Sequence, residues 1–160
     1  MHGLLLVATL LAGVGSALVG GVFFAFSGFV LRGLSDVPAE CGVAGMRSIN
    51  AAAQRPPLMI AMFGTGLLCL ALALRALVGL DHAYAGWLLA GGSLYLVGAI
   101  GVTAAFHVPR NLALDRARLT DADRARVWHA YLASWGAGNH VRCAASLLAA
   151  GLLGVAAVTG

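Results

Sequence analysis

The sequence predicts an all-α integral membrane four-helix bundle, with an amphipathic cytoplasmic helix between spans 1 and 2. Three observations predict it. The 160-residue chain is 61% apolar and only 10% charged, where ordinary globular domains carry about 25% charged residues, and its mean hydropathy is +0.91. Four stretches, Gly3–Leu31, Pro56–Leu74, Ala83–Phe106 and Cys143–Gly160, contain neither a charged residue nor a histidine, and a helix of about 20 apolar residues crosses a hydrocarbon core. The ten basic residues are all Arg and fall between or beside those stretches. A soluble monomer could not cover so much apolar surface, and the same composition excludes intrinsic disorder. The net charge of +4 therefore reports membrane topology and not a nucleic-acid partner. The chain is expected to form one membrane domain, residues 1–160, in contact with the lipid bilayer, with spans at about 3–31, 56–80, 83–107 and 126–159.

The first span resembles a secretory signal at Gly15-Ser16-Ala17, but its n-region has no Lys or Arg and its apolar run continues past Ala17; a retained helix is expected. Within it Gly13, Ala17, Gly21 and Ala25 recur every four residues, a spacing that lets a neighbouring membrane helix approach closely. Packing inside the bundle is the simplest use of this face, and a homo-oligomer contact is the alternative.

Between the first two spans, Pro38 suits the first turn of a helix running to about Gln54, stopped by Arg55-Pro56-Pro57. Val43, Met46, Asn50 and Ala53 share its apolar face, which turns Asn50 toward the bundle or the membrane. The third span ends at Phe106-His107-Val108-Pro109, where Pro109 removes an N–H and crowds the Ala105 carbonyl, so a kink or an end is expected. Thr120-x-x-Asp123 has the form of a capping box for the fourth helix; helix capping is preferred over a metal site at Asp121-x-Asp123. Eight of the ten arginines lie in the two connections that an even number of crossings puts on one side. The positive-inside rule then places those loops in the cytoplasm and both termini outside, in a cell (inner) membrane.

Cys41, Cys69 and Cys143 form no CxxC pair, and neither a disulfide framework nor a zinc site is expected. The polar residues collect where the spans meet the arginine-rich loops: Ser27 closes the first, Asn50 and Gln54 precede the second, Thr103, His107 and Asn111 end the third, and Asn139, His140 and Arg142 open the fourth. Polar groups at membrane depth are costly and usually have a partner or a task. Trp128, Tyr131, Trp135, Asn139, Arg142 and Ser146 recur at spacings of 3, 4, 4, 3 and 4, one helical stripe that is aromatic at one end and polar at the other. An interfacial aromatic belt explains its Trp and Tyr residues, but not an Asn, a His and an Arg within four positions. His140 lies about 100° from Asn139, beside the stripe. His2, His82 and His129 are assigned no role.

Gly21-Val22-Phe23-Phe24-Ala25-Phe26-Ser27, Ile49-Asn50, Phe106-His107-Val108-Pro109-x-Asn111 and Trp135-x-x-x-Asn139-His140-Val141-Arg142 occur in that order. Together they resemble the anthrone oxygenase-like family of small four-helix membrane proteins, over nearly the whole chain. The resemblance implies an oxidoreductase, a monooxygenase that converts an anthrone to the anthraquinone with molecular oxygen. Gly138 and Cys143 depart from the Trp and Thr that the family often carries, and Gly138 is expected to open space in the pocket.

Such chemistry needs a base near an acidic C–H, donors at the developing oxyanion and flat walls for fused rings. His107 or His140 suits the base, and Arg142 and Asn139, with Asn50 or Asn111 opposite, suit the oxyanion. Trp135, Tyr131 and Phe106 suit the walls, with Ser27 and Thr103 at the same depth. The substrate expected is a hydrophobic phenolic or quinone-like small molecule, with no metal or other cofactor. Two alternatives stand beside this reading: a membrane redox protein holding haem or copper through His107 and His140, and a non-enzymatic lipid-binding or accessory membrane subunit.

Overall fold

The computed structural model describes residues 1, 3–118 and 120–160, without the side chain of Asp121; His2 and the proposed Asp121-x-Asp123 pair thus fall wholly or partly outside the described residues. The elements are helical throughout, with no strand among the described residues. Helix α1 spans Gly3–Ser35, α2 Ala39–Ala53, α3 Pro56–Val78, α4 Ala85–Arg116 and α5 Asp121–Thr159. Four of them, all but α2, are long and apolar enough to cross a membrane.

Around the bundle α1 packs on α3, α3 on α4, α4 on α5 and α5 back on α1. Both termini meet at one end, where the Met1 amino group donates to the Gly160 carbonyl. Half of the bundle is held by small and aliphatic side chains such as Ala12, Val19, Cys69, Leu88, Ala149 and Leu153. Leu4, Val14, Leu18, Leu67, Leu74 and Leu148 point outward and stay exposed, as lipid-facing residues do. The face that α1 turns inward carries Thr9, Ala12, Ser16, Val19, Gly20 and Phe23. It is therefore not the stripe expected from the sequence: Ala17 and Gly21 are exposed, and a Cβ on Gly21 would meet nothing. The first helix is small on two faces, and the bundle uses the one containing Ser16 and Gly20.

At the arginine-rich end a second core forms from Val43, Met46, Leu114, Trp128, Tyr131 and Trp135. It seats α2 across the ends of α4 and α5. Arg47 fastens α2 to α4 by donating to the Leu114 carbonyl from Nε (3.2 Å) and Nη2 (2.7 Å), and to the Ala117 carbonyl at 2.9 Å, at a helix end where carbonyls are left short of α-helical donors. Gly42 makes the docking close. A Cβ there would lie 2.7 Å from the Leu34 carbonyl oxygen and 2.8 Å from the Trp128 ring. Gly42→Val should therefore lift α2 and cost about 1–3 kcal/mol, read as a lower Tm together with a changed Trp emission.

Two sequence expectations change here. Pro109 does not end the third span: α4 continues to Arg116, and the turn before it, Thr103–His107, widens to a π turn in which the Val108 N–H donates to the Thr103 carbonyl. The extra residue moves the backbone off the clash that an α-turn would impose on Pro109. At the start of α5, Thr120 occupies the cap position but its hydroxyl donates to the Asp123 carboxylate (3.1 Å) and makes no bond to a backbone N–H. Asp123 also accepts from Arg126 at 2.8 Å, so the expected reciprocal box is replaced by a side-chain chain on the surface.

Candidate functional site

The stripe on α5 is buried along its whole length, from Trp128 through Tyr131, Trp135, Asn139 and Arg142 to Ser146. Opposite it, α1 and α4 each carry a π turn at the same level, Phe26–Val30 and Thr103–His107. Such turns insert one residue and re-aim the side chains around them. Between these elements and the ends of α2 and α3 lies a cavity of about 280 Å³, close to the lower end of small-molecule pockets, which run from roughly 300 to 1,000 Å³.

Six of the candidate site residues named from sequence line it: His107, Arg142, Asn50, Asn111, Trp135 and Thr103. Arg142 is the buried cation of the site. Its Nη1 donates to the Thr103 hydroxyl (3.1 Å) and its Nη2 to the Asn139 side-chain oxygen (2.8 Å), while Nε is buried and has no acceptor. The guanidinium lies 4.2 Å from the Phe23 ring centroid and 5.1 Å from that of Trp135. Among the described residues no carboxylate comes within salt-bridge distance of it.

Asn139, Ser27, Tyr131 and Phe106 support the cavity without lining it. Asn139 donates to the Phe23 carbonyl (2.7 Å) and to the Ser27 hydroxyl (2.8 Å), which fixes the oxygen that receives Arg142. The Tyr131 hydroxyl and the Trp135 indole N–H both donate to the Asn111 side-chain oxygen at 2.9 Å. Phe106 sits under Arg110, 3.4 Å from Cζ to ring centroid, and meets His107 edge-on at 5.4 Å.

The two histidines part company. His107 is buried, with its ring edge-on to Trp135 at 4.8 Å. Its Nδ1 lies 3.4 Å from the Val102 carbonyl oxygen and its Nε2 3.3 Å from that of Trp135, both at the long end of hydrogen bonding. His140 is exposed and does not line the cavity. The physical reason is helical: His107 touches α5 beside Gly138 and Trp135, and His140 is two residues, about 200°, around from Gly138. The expectation that both imidazoles face one chamber is therefore corrected: His107 lines the cavity and His140 does not. Among the described residues no group of three or more His, Cys, Asp or Glu could hold a metal ion.

Gly138 also differs from expectation. It does not open space: a Cβ there would meet the Phe106 ring at 2.5 Å and His107 Cε1 at 2.9 Å, so those two rings already fill what the missing side chain vacates.

Sequence reasoning missed Phe23 and Phe26, which wall the cavity, Met59 and Met62 on α3, and Asp115 near its mouth, where Gln54 of the expected polar cluster also lies. The phenylalanines lie inside the Gly21–Ser27 motif, and Asp115 follows Asn111 by one helical turn. The methionines carry no signal within an apolar run.

A membrane-type helical bundle whose single buried cation faces an aromatic-walled cavity is the class these features define, among the described residues. The chain belongs to the anthrone oxygenase family, whose model matches residues 57–152. That segment carries Thr103, His107, Asn111, Trp135 and Arg142, while Phe23 and Asn50 precede it. No curated protein and no solved structure matches the chain significantly.

Proposed function

We propose that the protein is a membrane-embedded oxygenase that oxidises a hydrophobic phenolic or anthrone-like substrate with molecular oxygen in this cavity. The observation that carries the reading is Arg142, a buried cation with an unused N–H, facing aromatic walls in a member of this family. Burying an unpaired charge is costly, and an oxyanion formed on the substrate would supply the missing partner.

The reaction divides between substrate and protein. A base takes one proton from the CH2 carbon opposite the substrate carbonyl, and the electron pair moves onto the carbonyl oxygen, where Arg142 stabilises the charge. The electron-rich anion reduces oxygen and forms a C–O bond at that carbon. The resulting hydroperoxide loses water to leave the second carbonyl. One oxygen atom ends in the quinone and the other in water, and both hydrogens of the CH2 group are accounted for in that water. His107 is the imidazole within the cavity and is the base in this reading; its long contacts to two carbonyls let one nitrogen turn toward the substrate. Those carbonyls then receive the protonated ring.

The mouth fits a lipid-soluble substrate. Phe63, Val108 and Leu112 line the cavity and remain exposed, next to the exposed polar residues Gln54 and Asp115. An opening with both characters suits entry sideways from the boundary between bilayer and water. In the orientation favoured by the positive-inside rule this boundary is cytoplasmic, in a cell membrane with both chain termini outside.

Oxygen uptake and quinone formation by purified protein in nanodiscs, measured against spontaneous oxidation of anthrone, test the proposal. The wild type should consume one oxygen per quinone formed. His107→Gln should lower the rate by roughly 10²–10⁴-fold, the range of general-base catalysis, and His140→Ala should leave it within about twofold. Absence of any acceleration, or full activity in His107→Gln, would sink the reading or its base respectively.

A further inference from the structure

The cavity holds a second orphaned donor far from Arg142. Asn50 is buried, lines the cavity, and its Nδ2 makes no hydrogen bond among the described residues, the Tyr131 hydroxyl being its polar neighbour. Beside it on the wall, Asn111 spends its side-chain oxygen on Tyr131 and Trp135, which leaves its amide N–H groups without an acceptor among the described residues. A buried N–H left unmade costs more than the bond would have gained, so the Asn50 amide calls for an acceptor brought by a ligand, and the Asn111 amide lines the same cavity.

The placement of these donors is informative. Arg142 reaches the wall at Thr103, and Asn111 follows on the same helix eight residues later, which at about 1.5 Å per residue, less in the π turn, separates the two stations by on the order of 10 Å. Trp135 lies between, its indole N–H on Asn111 and its ring beside Arg142. One station is cationic and the other neutral. Asp115, one turn beyond Asn111, is the carboxylate among the lining residues, and it keeps an anion away from that end.

From this we infer that Asn50 and Asn111 form a second anchor, which binds a neutral oxygen acceptor on an outer ring of the substrate while Arg142 holds the oxyanion. The two asparagines are thus specificity-determining and do not share the charge at the reacting centre. A flat molecule lies along Trp135 in one orientation only, with its reacting carbonyl inward and its outer oxygen toward the mouth. This deepens the proposed oxygenase reading and rests on it for the identity of the inner oxygen.

Anaerobic binding separates the anchor from turnover. Quenching of Trp emission would give Kd for anthrone and for 3-methoxyanthrone, whose added oxygen only accepts. Wild-type protein should bind the methoxy ligand about 10-fold more tightly, the value of one satisfied hydrogen bond at a buried donor. Asn50→Leu should erase that preference and leave the Kd for anthrone within about twofold. Because the substitution removes an unsatisfied group, its Tm should not fall. Asn50→Asp, which keeps the shape and replaces the donor, should also lose the preference. Equal binding of the two ligands by the wild type, or equal weakening of both in Asn50→Leu, would overturn the inference. A preserved preference without oxidation in air would instead overturn the oxygenase reading and leave the anchor standing.

Discussion

Arg142→Gln should lower kcat for oxidation of an anthrone by about 10²–10³-fold, the effect of removing one preorganised oxyanion donor. The expectation follows from where the guanidinium is held. Thr103 and Asn139 each take one of its N–H groups, and Asn139 is itself fixed by the Phe23 carbonyl and Ser27. The fork is therefore oriented before substrate arrives, with Nε left over. Gln retains a donor for Asn139 but carries no charge. Arg142→Lys keeps the charge on a point ammonium that cannot reproduce the planar fork, and should fall between the two. Stability separates a catalytic role from a structural one. Removing one partner of a buried ion pair is strongly destabilising, but Arg142 has no carboxylate to strand among the described residues. The Tm of Arg142→Gln should hold or rise while turnover collapses. Oxygen-electrode kinetics and thermal unfolding on the same preparation check both; full turnover in this variant would remove the oxyanion site from the cavity.

How far the sequence reached depends on the kind of signal. The spans are legible because charge is excluded from about 20 residues at a time, and the buried stripe on α5 is legible because six large or polar side chains repeat at helical spacing. Asn50 is legible for the same reason, since it shares a face with Val43 and Met46. What the sequence hides is rotation and register. The α1 face could not be chosen because small residues occupy two faces of that helix. His140 is adjacent to Asn139 in the chain, and depth in the membrane is common to both, yet 100° of rotation separates an inward from an outward side chain. The π turns are hidden as well: Pro109 signals a disturbed helix but not that the turn before it widens by one residue. Thr103, His107 and Asn111, spaced by four on α4, line one wall of the cavity.

The same wall sets the second large expectation, at Gly138. In Gly138→Ala the new Cβ falls 2.5 and 2.6 Å from two atoms of the Phe106 ring and 2.9 Å from His107 Cε1, so at least one ring must move. Phe106 is held by Arg110, which lies on its face and donates to its carbonyl at 3.0 Å. His107 is held by two long contacts and is the one to yield, toward the cavity. The variant should lose about 1–3 kcal/mol of stability, as overpacked cores do, and its turnover should drop with the misplaced imidazole. Substitutions in direct contact are not additive, with coupling of roughly 0.5–3 kcal/mol, and this gives the check. Phe106→Ala in the Gly138→Ala background should recover much of the lost Tm by making room on the same spot, whereas Phe106→Ala alone should be destabilising through the void it leaves. Recovery of Tm with recovery of rate would mean that His107 returns to its place between Val102 and Trp135. Additive losses in the double variant would show that Gly138 does not yield its space to these rings.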